Sequence, residues 1–414
     1  MTEDLFRREN ARLVSLLVAQ LGLHRLQLAE DVVQEAFVRA LQTWPYRGIP
    51  DNPAAWLTQT AKNLALDQLR REQSWDRKQE NIASAQDEWR GESKPSFESA
   101  TEEPGDETLR LLFVCCHPQL STEAQTALAL RTLCGFSASE IAAAYLTTEA
   151  AIAKRLVRAR QRIRDLNLPF VVPDPAELPQ RLDGVLRTLY LLFNEGYRAS
   201  SGDRLIRTDL CHEAVRLVLQ LTGYPATRQP QTLALAALLL LNAARLPARV
   251  DDVGNPLRLD EQDRSLWNGA MIRRGIEYLG EAASGNELSE YHLEAAIAAC
   301  HSTARDSAST DWSRILSLYD RLVKLQPSPV AMLNRAVAVA RVHGPQAGLQ
   351  ALDALAIRSV LDGYLFYHAV RGTLLAEAGK TPEALGHLRR AESLAQIPGE
   401  RTFLARRIAE LSTR

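Results

Sequence analysis

Helical periodicity runs through nearly all of this 414-residue chain and fails in two places, so the chain is expected to fold as three helical blocks joined by two connectors. The first failure is acidic. Glu80, Asp87, Glu88, Glu92, Glu98, Glu102, Glu103, Asp106 and Glu107 face only Arg90 and Lys94, and Pro95, Pro104 and Gly105 interrupt the backbone. Such a stretch buries too little apolar surface to offset the entropy of ordering it. The second failure, Pro169 to Pro179 (PFVVPDPAELP), is proline-rich and semi-rigid. The expected divisions are therefore 1–78, an acidic linker at 79–107, 108–168, a Pro-rich linker at 169–181, and 182–414. Leu and Ala dominate and β-branched residues are sparse, which favours an all-α fold throughout.

Hydrophobic residues make up 46% and charged residues 24%, which excludes a disordered chain. The net charge of −1 excludes a protein that is basic throughout but leaves room for local basic surfaces. Five scattered cysteines (Cys115, Cys116, Cys134, Cys211 and Cys300) suggest reduced thiols in a cytoplasmic setting. The polar start, MTEDLFRREN, does not read as a signal peptide. The longest apolar run, Thr232 to Leu246, contains Asn242 and Arg245 and reads as a buried helix rather than a membrane span.

In the first block, Leu28 to Trp44 has helical apolar spacing at Val33, Phe37, Ala40, Leu41 and Trp44. Its other side carries Glu30, Asp31, Gln34, Glu35 and Arg39. Pro45, Gly48, Pro50 and Pro53 then break the chain, and a second helix is expected from Pro53 to Gln73. Trp56, Leu57, Ala61, Leu64 and Ala65 form its apolar side. Gln59, Asn63, Leu66, Asp67 and Arg70 form another stripe, flanked by Lys62 and Arg71. Such groups can hydrogen-bond base edges and phosphates, although a solvated helix face reads the same way.

In the second block, Ser121 caps a helix that Gly135 ends. Ser137 and Glu140 make a capping box for the next, which ends near Leu146. After Thr147 and Thr148 a basic helix runs from Glu149 to Leu166. Ile152, Leu156, Ala159 and Ile163 share one face, while Ala151, Lys154, Arg155, Arg158 and Arg162 share the other, with Arg160 and Arg164 adding charge. A short helix, a tight turn and a basic second helix form a helix-turn-helix pattern that suits the major groove. A basic solvated or partner-binding helix is the alternative.

The strings AEDVVQEAFVRALQTW (Ala29–Trp44) and WLTQTAKNLALDQLRR (Trp56–Arg71) resemble region 2 of extracytoplasmic-function sigma factors, the promoter-recognition subunits of bacterial RNA polymerase. FSASEIAAAYLTTEAAIAKRLVRARQRIR (Phe136–Arg164) resembles their region 4. The resemblance covers about 165 residues and implies a region 2 helical bundle and a region 4 helix-turn-helix. It implies that Asp31, Gln34, Glu35 and Phe37 dock on core polymerase, at the β′ clamp, with the β flap a further contact. It implies that Trp56, Lys62, Asn63, Asp67, Arg70 and Arg71 meet the −10 element as separated strand with one base extruded. Thr148, Ala151, Lys154, Arg155, Arg158 and Arg162 match the helix that reads the −35 element as duplex. The acidic linker resembles the segment that threads the polymerase RNA channel.

Most such factors end near residue 170. Here Tyr367 to Ala395 places Gly372, Gly379, Ala384, Leu388 and Ala391 at offsets similar to a tetratricopeptide repeat, and a looser copy spans Met332 to Leu355. The layout resembles a subgroup bearing a C-terminal TPR-like helical extension, as do CCHPQLS (Cys115–Ser121) and NEGY (Asn194–Tyr197). In that subgroup the extension is thought to regulate activity in cis, as a clamp on the DNA-binding domains, a polymerase contact or a peptide- or protein-binding surface. Three Cys-His pairs have poor zinc spacing and read as core residues, and no nucleotide or hydrolase motif is present. The sequence thus points to a cytoplasmic, nucleoid-associated protein that is neither an enzyme nor a membrane protein, with no cofactor and no metal. The alternatives are a helix-turn-helix transcriptional regulator with a helical sensor domain and a protein-binding helical scaffold.

Overall fold

The structure is a computed structural model and describes residues 2–83, 104–145, 147–166, 170, 177–200, 204–285, 287–355 and 361–413. Among these the chain is helical, 77% of it, with no strands. The fold class is thus all-α. Two compact units divide it, Met1–Thr188 and Leu189–Arg414.

The first unit opens with α1 (Thr2–Leu21), α2 (Leu26–Arg47) and α3 (Pro53–Ala83). Leu13, Val14, Leu17, Val33, Ala36, Ala40, Leu57, Ala61 and Ala65 are almost wholly buried and form their common core. The break after Trp44 falls later than the sequence suggested. Pro45 sits in the last turn of α2, where it forfeits one bond to an earlier carbonyl, and positive-φ Gly48 ends the helix. Leu41, expected inside, is 54% exposed. The third helix outruns its expected end at Gln73 by ten residues, because no Gly or Pro occurs between Gln73 and Gly91 and Arg77, Lys78, Gln79, Glu80 and Ala83 are good helix formers. Most of the acidic linker, residues 84–103, lies outside the described residues, as does Leu146.

Next come α4 (Pro104–Cys115), α5 (Thr122–Cys134), α6 (Ala138–Ala144) and α7 (Glu149–Leu166). The local signals are all realised. Ser121 accepts from the Ala124 amide, Gly135 takes a left-handed conformation (φ 65), and Ser137 with Glu140 closes a capping box. Ile152, Leu156, Ala159 and Ile163 are buried, as their spacing requires. Of the Pro-rich connector, 169 and 171–176 lie outside the described residues. α8 (Leu178–Tyr197) follows, and its first half packs in the first unit: Leu182, Val185 and Leu186 are fully buried, and Arg181 donates to the Phe113 carbonyl. A cut after Leu168 would remove that cover.

The second unit continues through α9 (Thr208–Gly223), α10 (Pro230–Ala243), α11 (Gly269–Ala282), α12 (Glu290–Thr303) and α13 (Trp312–Leu325), then α14 (Pro329–His343), α15 (Pro345–Asp353), α16 (Leu365–Glu377), α17 (Thr381–Leu394) and α18 (Pro398–Ser412). The stretch Pro230–Ala248 is apolar and long enough to cross a membrane, but 78% of it is buried, so it is a core helix. Later helices pair antiparallel across small residues. At Gly372 of α16 a Cβ would lie 2.9 Å from Leu388 Cγ and 3.2 Å from the Ala384 carbonyl of α17, so the two backbones approach as only glycine allows.

Gly372→Val should therefore lower stability by about 1–3 kcal/mol through overpacking. Gly386→Ala, on the open face of α17, should raise it by about 0.5–1 kcal/mol. Urea unfolding of the full chain checks both.

Candidate nucleic-acid interface

The stripe proposed on α3 faces outward. Gln59, Asn63, Asp67, Arg70 and Arg71 are exposed, whereas Lys62 and Trp56 are half-buried. Leu57, Ala61 and Ala65 pin the opposite face in the core, which fixes the helix rotation. The stripe is internally organised. Gln59 donates to Asn63 Oδ1 at 2.9 Å, and Arg70 lies 3.6 Å from Asp67. Trp56 packs edge-on to Trp44 at 5.6 Å between ring centroids, tying the start of α3 to the end of α2. Tyr46, which sequence reasoning passed over, is 89% exposed beside this pair.

On α7 the two faces separate as the periodicity predicted. Thr148 receives the Ala151 amide and caps the helix. Lys154, Arg158 and Arg162 are exposed, and Ala151 and Arg155 are half-buried. Arg155 lies 5.8 Å from the Tyr145 ring, and Arg162 donates to Gln119 at 3.2 Å. Among the described residues, neither Lys154 nor Arg158 is paired with a carboxylate. Cations left unneutralised on one helix face are available to phosphates.

The docking face assigned to α2 divides differently. Asp31, Gln34 and Glu35 are exposed, but Phe37 is 7% exposed and belongs to the core. Its place outside is taken by Val38 and Leu41, at 45% and 54% exposure. Positions 31, 34, 38 and 41 step by three, four and three, so the face carries acidic groups beside apolar ones. The spacing signal was present in the sequence. In sequence alone Leu41 fits the inward stripe equally well, so the spacing does not distinguish the two faces.

Two charges expected to be solvated are buried together. Arg160 of α7 lies 2.5 Å from the Glu30 carboxylate of α2, with side chains 15% and 9% exposed. Thr132 of α5 donates its hydroxyl to the same carboxylate at 2.5 Å, and Asn10 of α1 donates to the Thr132 carbonyl at 2.9 Å. These contacts lock the α5–α7 motif against α1 and α2.

Around the neighbouring thiols, burial pushes Cys116 up to about 12 and Cys115 well above the ordinary range. Both are therefore protonated core residues. Among the described residues, no group of three or more His, Cys, Asp and Glu side chains could hold a metal.

Comparison with known proteins finds three family models along the chain. Sigma-70 region 2 matches residues 5–75, and Sigma-70, region 4 matches residues 110–163. A family of unknown function (DUF6596) matches residues 181–283. An uncharacterized protein of Rhizobium meliloti (strain 1021) is 40% identical over 389 residues, covering 94% of this chain and 90% of its own. No solved structure matches.

Arg160→Met should leave Glu30 as a buried charge without its counter-ion and cost about 3–5 kcal/mol. Adding Glu30→Gln should recover most of that loss in urea unfolding. A double variant no more stable than Arg160→Met would show that Arg160 acts through packing alone.

Proposed function

Because the chain belongs to the sigma-70 family, whose members bind core RNA polymerase and promoter DNA, we propose that it is an extracytoplasmic-function sigma factor whose two promoter-reading helices are α3 and α7. The observation that carries this reading is the pair of helices itself. Each buries an apolar stripe and turns outward a polar or basic face of the composition that its promoter element needs.

In this reading, α3 meets the −10 element as separated strand. Asn63 and Asp67 present an amide and a carboxylate to base edges, while Lys62, Arg70 and Arg71 meet phosphates. Exposed Tyr46 gives a base a ring to stack on. Helix α7 enters the major groove at the −35 element with Ala151 allowing close approach. Lys154, Arg155, Arg158 and Arg162 supply phosphate and guanine contacts, and Thr148 sets the helix start. The mixed acidic and apolar face of α2 suits a protein partner, here the β′ clamp, with the β flap as a further polymerase contact. The acidic linker of residues 79–107 follows the RNA channel. The helices from 182 onward, TPR-like towards their end, regulate activity in cis, and the protein works in the cytoplasm on the nucleoid.

This reading requires the Glu30–Arg160 contact to open. The two elements lie roughly 25 base pairs apart, or ~85 Å at about 3.4 Å per pair. A compact unit of this size has a radius of gyration of roughly 16 Å. One unit cannot span both elements while Arg160 stays paired with Glu30, so in this reading the closed arrangement is a form unable to read both. A plain helix-turn-helix regulator, the alternative reading, has no use for the region 2 match or the docking face of α2.

Asn63→Ala or Asp67→Ala should weaken −10 selectivity in open-complex assays while core polymerase binding survives. Arg155→Ala with Arg158→Ala should cost about 1–3 kcal/mol for each base that an arginine reads. The double variant should also flatten the salt dependence by ~0.9 in log–log slope for each phosphate it no longer neutralises. Val38→Asp should reduce polymerase affinity without changing binding of the isolated protein to duplex DNA. If purified protein and core polymerase start transcription at no promoter, the regulator reading wins.

A further inference from the structure

The second unit contains a polar cavity that nothing in promoter recognition uses. Its volume is about 270 Å³, room for several water molecules. Two helices supply matched faces. Glu294, Ile297, Ala298 and His301 repeat along one side of α12, and Leu238, Asn242 and Arg245 repeat along α10 and the residues just after it. Tyr190 of α8 and Tyr319 of α13 close the Glu294 end, and Val330 and Asn334 of α14, both exposed, stand at the surface side.

The charges in this cavity are separated and unmatched. Among the described residues, Glu294 has no cationic partner, and its carboxylate accepts only the Tyr190 hydroxyl, at 3.2 Å. Among the described residues, Arg245 has no carboxylate partner. It lies 5.2 Å from the Trp267 ring centroid and reaches Gln262 at 3.4 Å, and its Nε is buried without a hydrogen bond. His301, beside Arg245, likewise has a buried Nδ1 without a partner. Glu294 and His301 are seven residues apart on one helix face, about 10 Å along the axis. Leaving partly buried ionisable groups without partners costs stability, a cost that a ligand supplying the partners would offset.

We propose that this cavity binds a small elongated zwitterion, an ω-amino acid or a dipeptide, whose ammonium meets Glu294 and whose carboxylate meets Arg245. The apolar lining (Leu238, Ile297 and Leu322) holds the carbon chain between the two ends, the usual division of labour in a ligand site. The titration of the empty site agrees with this. Burial pushes the Glu294 carboxyl up to about 7, with Glu290 on the same helix adding to the rise and the Tyr190 hydroxyl opposing it. Tyr319 faces it from α13 as a neutral phenol, raised by burial. Burial, with Arg245 and Arg264 beside it, pushes His301 down to about 4, so His301 is neutral at pH 7. A carboxyl raised in the fold favours folding when protonated, and that contribution is lost as pH rises through about 7. A bound ammonium reverses the shift, so binding near pH 7 releases a proton.

The test is calorimetry on the full-length protein at pH 7 with 6-aminohexanoate and alanyl-alanine as probes, and hexylamine and hexanoate as single-ended controls. At least one zwitterion should bind at least tenfold more tightly than either control, with a heat that depends on the ionisation enthalpy of the buffer. Glu294→Gln should lose at least tenfold in affinity. Its melting temperature relative to wild type should rise between pH 5 and pH 8, which also reports that it folds. Val330→Phe, a change at the exposed mouth that leaves every charged group in place, should block entry. The proposal is overturned if no zwitterion binds at 10 mM, if the controls bind equally well, or if Glu294→Gln keeps wild-type affinity. Sigma activity is not the readout, so failure here leaves the promoter reading untouched.

Discussion

A buried carboxylate ties the helix-turn-helix to α2 in the first unit. Glu30 sits on the face of α2 that meets the helix-turn-helix, where water is excluded, and it is satisfied by an arginine from α7 and a hydroxyl from α5. A bare carboxylate at that position would cost several kcal/mol, so the contact persists only while all three groups stay together. This cluster is the polar tie between α7 and α2, beside the packing of α5 on α1. Its polar character also makes it separable: once water reaches the three groups, each finds a replacement partner, unlike an apolar interface of the same area.

The same logic of faces recurs in α3 and α7. A helix that commits one stripe to the core cannot choose what it presents on the other side, because 3.6 residues per turn fix the relation between them. Burial of Leu57, Ala61 and Ala65 therefore turns Asn63 and Asp67 outward, and burial of Ile152, Leu156 and Ile163 does the same for Lys154 and Arg158. In the second unit the rule works in reverse. Arg245, just past the end of α10, and Glu294 and His301 of α12 face inward and line a polar cavity beside the core.

The N-terminal half was the more legible in sequence. Caps, turns and the two-faced helices of the helix-turn-helix depend on residues within four positions of one another, and Ser121, Gly135, Ser137 and Glu140 act as their local chemistry requires. Where local reasoning failed, long-range packing had decided. Phe37 and Leu41 both fit an apolar stripe, yet one is buried and the other exposed, because α2 packs over less than its full apolar width. Arg160 reads as one more positive charge on a basic helix, since its partner lies 130 positions away.

The sequence by itself determined an all-α chain, the helices α3 and α7 and the faces they turn outward, because periodicity and capping are properties of neighbouring residues. Tertiary structure alone decided that α7 is tied to α2 through Glu30. It alone split α8 between two units, and it alone brought Tyr190, Arg245, Glu294 and Tyr319 around one cavity. Those groups come from four different stretches of chain. Their meeting depends on how helices stack, which no local pattern encodes.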